Sequence, residues 1–124
     1  MQNDNEKFKN EFKKRLYKFV LRLIKFIDGL DKNDSTCRIV GNQLLRSGTS
    51  ILANYIEAKS ASSKKNFINF FTHSLKSANE SKMWLTLIRD SGKRTGKELD
   101  FLLSELIEVS NVLATSILTM KGRK

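Results

Sequence analysis

The sequence of 124 residues contains no proline and only six glycines. These two residues supply most of the tight turns that join short strands, so an all-β fold, which needs many such turns, is disfavoured. A few long helices need far fewer turns. We therefore expect an all-α protein, and a chain of this length can bury one hydrophobic core as a single domain over residues 1–124.

Cysteine and histidine are nearly absent, with one residue of each, Cys37 and His73. A lone cysteine forms no disulfide within the chain, which is typical of a protein of the reducing cytoplasm. One histidine is too few for a multi-histidine metal site, and it does not lie near Cys37 in the sequence. The glycines stand singly, so no loop cradles phosphate. We expect a protein that is not an enzyme and binds no metal ion or cofactor.

Long apolar runs and a secretory signal are also missing. The N-terminal stretch MQNDNEKFKNEFKK is charged, and the most apolar early segment, FVLRLIKFI, is interrupted by Arg22 and Lys25. No stretch approaches the roughly 18 uninterrupted apolar residues of a membrane-spanning helix. We expect a soluble cytoplasmic protein that does not bind a membrane.

Acidic residues are fewer than basic ones, with 13 Asp and Glu against 23 Lys and Arg, for a net charge of +10. Such a charge attracts polyanions, although it also serves solubility alone. It is spread along the chain, with much of it in the first predicted helix and in the C-terminal KGRK. The candidate contacts to nucleic-acid phosphates are Lys9, Lys13, Lys14, Lys18, Arg22, Lys25, Lys121, Arg123 and Lys124.

Apolar residues recur with the period of an α-helix in four segments, over about residues 6–29, 35–59, 64–90 and 96–121. Short joints make neighbouring helices antiparallel, so the pattern predicts an up-down-up-down four-helix bundle. The first helix would place Phe8 in the core, and the fourth would place Ile107 there.

Polar residues next to the joints predict where helices begin and end. Asp34 or Ser35 would cap the second helix, and Ser62 or Ser63 the third. Gly92 would follow the end of the third helix. Thr95 with Glu98 three residues later fits a capping box for the fourth.

The predicted second helix carries a polar stripe with few lysines. Its members are Gln43, Arg46, Ser47, Ser50, Asn54 and Glu57. An ordinary solvent-exposed face would be rich in Lys and Glu, so this composition indicates specific contacts. Those contacts lie either inside the fold or with a partner.

The same region resembles a known family. The run QLLRSGTSILANYIEA at 43–58, followed by KNFI at 65–68, SANE at 77–80 and WL at 84–85, resembles the 23S rRNA intervening sequence family of four-helix bundle proteins. The resemblance implies a bacterial four-helix bundle that assembles into a ring-like homopentamer, with no established molecular function. The accessory proteins of diversity-generating retroelements are similar in fold, and they bind nucleic acid and a reverse transcriptase through a basic pentamer surface.

The motif residues of the second and third helices imply that the two helices meet along one seam. We expect Arg46 to contact Glu80, with Ser47, Ser50 and Asn54 hydrogen-bonding across the seam and Trp84 beside it. This gives the stripe a structural role, in helix pairing or a subunit interface. The alternative is a binding site for RNA or peptide.

Two faces carry more apolar residues than a bundle core requires. They comprise Tyr17, Leu21 and Ile24 in the first helix and Phe70, Trp84 and Leu87 in the third. Such excess favours self-association. Two functions remain open. One is a non-catalytic oligomer that binds RNA or DNA through its basic surface, and the other is a scaffold that holds a partner protein.

Overall fold

The computed structural model describes residues 4–122, except for the side chain of Asn5. It contains four helices: α1 (Asp4–Asp28), α2 (Ser35–Ala58), α3 (Lys64–Asp90) and α4 (Lys97–Met120). The described residues include no strand, so the predicted all-α class is confirmed. The helix bounds agree with the predicted ones to within two residues, because the apolar period and the polar joints mark the same limits.

The helices form a closed ring of four neighbours. α2 packs most extensively against α3, α3 packs against α4, and α1 completes the ring by contacting both α2 and α4. Short joints make successive helices antiparallel. The expected up-down-up-down bundle is therefore the observed architecture.

The bundle core is mostly aliphatic, and a cluster of aromatic residues lies at the end where α1 begins. Leu16, Leu23, Leu44, Ile51 and Leu85 are among its fully buried side chains. Gly48 in α2 also matters for this packing, because a Cβ atom there would overlap the side chain of Leu23 on α1. The missing methyl group lets α1 and α2 approach each other closely.

Two residues predicted to lie in the core are exposed. Phe8 is 52% exposed because it lies in the first turns of α1, where the core is open. Ile107 is also 52% exposed, whereas its neighbour Val109 is fully buried. The core-facing side of α4 is thus rotated slightly away from Ile107 toward Val109.

Side-chain caps begin α2 and α3 as predicted. Asp34 Oδ1 accepts a hydrogen bond from the Cys37 backbone amide at 3.0 Å, and Ser63 Oγ accepts one from the Asn66 amide at 3.1 Å. Gly92 follows the end of α3 with a φ of 76°, a left-handed conformation that favours glycine.

The predicted capping box of α4 is wrong. Gly96, with a φ of 125°, occupies the N-cap position, and no side chain caps this helix. Glu98 does not reach back toward Thr95, because its carboxylate pairs with Arg22 of α1.

The expectation that no segment could span a membrane does not hold for α4. By length and composition alone, Lys97–Met120 is long and apolar enough to cross a bilayer. One face of this helix supplies core residues, including Leu99, Leu102, Leu106 and Leu113. A core helix of a soluble bundle meets the same two criteria, so the finding is weak evidence for a membrane span.

Candidate nucleic-acid interface

Lysines form a row along the outer surface of α1. Lys7, Lys14, Lys18 and Lys25 are spaced by seven, four and seven residues, which places them on one side of the helix, and all four are exposed. We call these four residues the lysine row. None of them forms an ion pair within residues 4–122. Their charges are therefore available to an external anion.

A shallow depression of about 530 Å³ follows the N-terminal half of this surface. Lys7, Lys13, Lys14 and Lys18 line it, and Glu11 contributes a carboxylate. The depression therefore has a positive balance of charge. The opposite side of α1 is anchored in the core by Phe12, Leu16 and Phe19, and this fixes the direction of the exposed lysines.

Lys9 and Lys121 are predicted phosphate contacts that do not belong to the lysine row. Lys9 faces the end of the bundle, with Nζ 5.6 Å from the ring centroid of Phe67 on α3. Lys121 is exposed just after α4. Arg123 and Lys124 lie outside the described residues.

Arg22 belongs to the contact between α1 and α4. Its Nε and Nη2 atoms donate to the two carboxylate oxygens of Glu98 at 3.0 and 2.7 Å. The guanidinium carbon lies 3.7 Å from the ring centroid of Phe101. Hydrogen bonding from Arg22 lowers the pKa of Glu98. The charge of Arg22 is thus already balanced, which sets this residue apart from the lysines with which the sequence analysis grouped it.

Arg15 makes a second ionic contact between α1 and α4, which was not predicted from the sequence. Its Nε and Nη2 atoms donate to Glu105 at 2.6 and 2.9 Å, and Nη2 also donates to Glu108 at 2.5 Å. Hydrogen bonding to Glu105 is the main cause of the raised pKa of Arg15. The three-residue spacing of Glu105 and Glu108 places two carboxylates on one face of α4, but helical periodicity alone does not show which residue of a neighbouring helix faces them.

The polar stripe of α2 faces α3 within the same chain. The Arg46 guanidinium pairs with the Glu80 carboxylate, and Trp84 Nε1 donates to Glu80 at 3.0 Å. Arg46 also donates to Gln43 Oε1 at 3.1 Å. The Arg46 and Glu80 side chains are 56% and 32% exposed, so this pair lies at the edge of the seam.

Serine hydroxyls continue the seam into the core. Ser47 and Ser81 share a hydrogen bond of 2.8 Å, and Ser77 donates to Ser50 at 2.9 Å. The expectation that Asn54 bonds across the seam is wrong, because its amide donates to Ser50 on its own helix. Glu57 is exposed and lies outside this network.

The described residues contain no recognisable catalytic or metal-binding cluster. His73 is exposed on α3, and Cys37 is a buried free thiol. No group of three potential metal ligands from His, Cys, Asp and Glu occurs within residues 4–122.

The chain matches the model of the 23S rRNA-intervening sequence protein family over residues 9–115. The structure is similar to the crystal structure of a protein of unknown function from the S23 ribosomal protein family of Bacteroides thetaiotaomicron VPI-5482. The two share 31% sequence identity with a TM-score of 0.78, over 85% of this chain and 96% of the other. The comparison with curated proteins found no match. The match covers most of all four helices, and the chain therefore belongs to the 23S rRNA-intervening sequence protein family.

Proposed function

We propose that this protein is a non-catalytic cytoplasmic homo-oligomer that binds the phosphate backbone of RNA or DNA through the lysine row of α1. The observation that carries the proposal is the contrast between neighbouring cations on one helix. Arg15 and Arg22 are neutralised by carboxylates of α4, whereas the lysine row has no ion pair among the described residues.

Unpaired lysines suit phosphate binding without base recognition. Each contact releases a condensed counterion, so affinity falls steeply as salt concentration rises. Lysine is a mobile point charge and carries little sequence information when it contacts phosphate. The net charge of +10 adds a long-range attraction to the local contacts.

Self-association would repeat this weak surface on one particle. Tyr17, Leu21 and Ile24 lie beside the lysine row and are 56%, 51% and 36% exposed. Exposed apolar side chains in such a group are a common feature of subunit contacts. A homopentamer, as the family resemblance implies, would present five lysine rows, and their combined avidity exceeds that of one row.

A scaffold for a partner protein is the second candidate function. The exposed apolar residues of α1 favour it, because they would also suit a partner polypeptide. Binding through apolar burial responds weakly to salt, whereas phosphate binding responds strongly. Salt dependence therefore separates the two functions.

The test compares two double variants with the same net charge. Lys14→Gln with Lys18→Gln removes half of the lysine row, and Lys76→Gln with Lys97→Gln removes two exposed lysines of α3 and α4. We expect the first variant to bind structured RNA more weakly. The slope of log affinity against log salt should decrease by about 1.5 for two lost phosphate contacts. The control variant should bind like the unmodified protein.

Equal losses of RNA affinity in the two double variants would show that net charge alone attracts RNA. An unchanged first variant would likewise contradict the assignment to the lysine row. Salt-insensitive binding of a protein partner, without RNA binding, would favour the scaffold.

A further inference from the structure

An aromatic cleft of about 350 Å³ opens at the end of the bundle where α1 and α3 begin and α2 and α4 end. Five aromatic residues line it, and we define the aromatic cleft by them: Phe8, Phe12, Tyr55, Phe67 and Phe71. None of these residues belongs to the lysine row or to the polar seam. The cleft is therefore a separate feature of the molecule.

The rings form a continuous series from solvent into the core. Phe8 stacks on Phe12 with centroids 6.1 Å apart, Phe12 meets Tyr55 edge to face at 5.1 Å, and Tyr55 contacts Phe71 at 5.4 Å. Phe67 then stacks on Phe71 at 4.9 Å. Tyr55 is 3% exposed and Phe8 is 52% exposed. The buried members hold the ring series in place, while Phe8 leaves an aromatic surface open to solvent.

Tyr55, on the wall of the cleft, also links α2 to the backbone of α1. Its hydroxyl donates to the carbonyl oxygen of Lys9 at 3.2 Å. Burial raises the pKa of Tyr55 to about 12, so the hydroxyl remains a protonated donor at neutral pH. The wall of the cleft is thus formed before any ligand arrives.

Positive charge and polar side chains surround the rings. Lys9 lies over Phe67, and Lys9 and Lys59 both line an adjoining hollow, together with the carboxylate of Glu6. Thr115 and Thr119 of α4, which carry polar side chains, also line the cleft. A flat aromatic ligand with polar edges and an attached anion matches this combination, whereas an aliphatic side chain would use only the rings.

We propose that the aromatic cleft receives an unpaired nucleobase of a single strand, stacked on the exposed ring of Phe8, while Lys9 and Lys59 contact the adjoining phosphate. A base within a duplex is already stacked and cannot enter, so the cleft gives the protein a preference for single-stranded segments. This inference rests on the proposed nucleic-acid binding and specifies which form of nucleic acid the protein prefers.

The test removes the exposed ring without changing charge. Phe8→Ala should lower the affinity for a short single-stranded DNA of mixed sequence by about tenfold, a loss typical of one base–aromatic stack. Its affinity for a duplex of the same sequence should not change. Phe8→Tyr should retain single-strand binding, because the ring remains. Ile39→Ala is the matched control, since Ile39 is 63% exposed near the opposite end of the bundle. Fluorescence anisotropy at one fixed low salt concentration measures all four proteins.

An unchanged single-strand affinity in Phe8→Ala, with duplex binding intact, would overturn this inference and leave the proposed function standing. An equal loss for single strand and duplex, or a changed molecular mass of the variant in light scattering, would also overturn it, because Phe8 would then act through structure or assembly. If the unmodified protein binds neither probe, the proposed function fails and this inference fails with it.

Discussion

Buried serines contribute differently to the bundle according to their hydrogen bonds. Ser74 is fully buried and donates to the Ile51 carbonyl oxygen at 2.8 Å, which joins α3 to α2. Ser110 is 5% exposed, and its hydroxyl has no hydrogen-bond partner within residues 4–122. A buried hydroxyl without a partner costs about 1–3 kcal/mol of desolvation, whereas a satisfied one contributes about 1 kcal/mol.

This difference predicts opposite effects for one substitution at two sites. Ser74→Ala should lower the free energy of unfolding by about 1 kcal/mol, and Ser110→Ala should leave it unchanged or raise it. Urea denaturation followed by circular dichroism measures both variants. A loss in Ser110→Ala as large as that in Ser74→Ala would show that Ser110 has a stabilising contact in solution.

Residue-scale contacts across seams were only partly predictable from sequence. The pairing of Arg46 with Glu80 followed from the family resemblance, which brought one motif in α2 together with another in α3. The contacts of Arg15 with Glu105 and Glu108 were missed, because they depend on how α1 and α4 are rotated and shifted along their axes. A period of 3.6 residues defines the faces of one helix but not the register between two helices.

At the scale of elements, the start of α3 depends on a side-chain cap and the start of α4 does not. Ser63 Oγ accepts a hydrogen bond from the Asn66 amide, whereas Gly96 begins α4 without a side-chain bond. Sequence predicted the first cap correctly and the second wrongly. A side chain that could cap a helix can instead bind a residue of another helix. Glu98 does so by pairing with Arg22, and the expected capping box therefore lacks one of its two members.

Removing the hydroxyl at each helix start tests this assignment. Ser63→Ala should destabilise the protein by about 1 kcal/mol, because a backbone amide of the first turn loses its acceptor. Thr95→Ala is the matched substitution before α4 and should change stability by less than about 0.5 kcal/mol. Thermal and urea unfolding of both variants give the comparison. A larger cost at Thr95 than at Ser63 would contradict the assigned caps.

At the scale of the whole molecule, the four helices and their order followed from the apolar period and the short polar joints. The exposure of Phe8 did not follow from the sequence. The apolar period treats every turn of a helix as equally buried, although the core opens at the end of the bundle. The sequence also did not show which cations of α1 form ion pairs in the fold. Only packing shows that α4 neutralises Arg15 and Arg22 while the lysine row remains without ion pairs among the described residues.

The central claim is that several copies of this basic surface act together on nucleic acid. Light scattering after size-exclusion chromatography tests it most directly, on the protein alone and with structured RNA at low and at moderate salt. We expect a particle of about 71 kDa, five times the chain mass of 14.2 kDa, that elutes with RNA at low salt and separates from it as salt rises. A monomer, or a pentamer that does not bind RNA at low salt, would contradict the account.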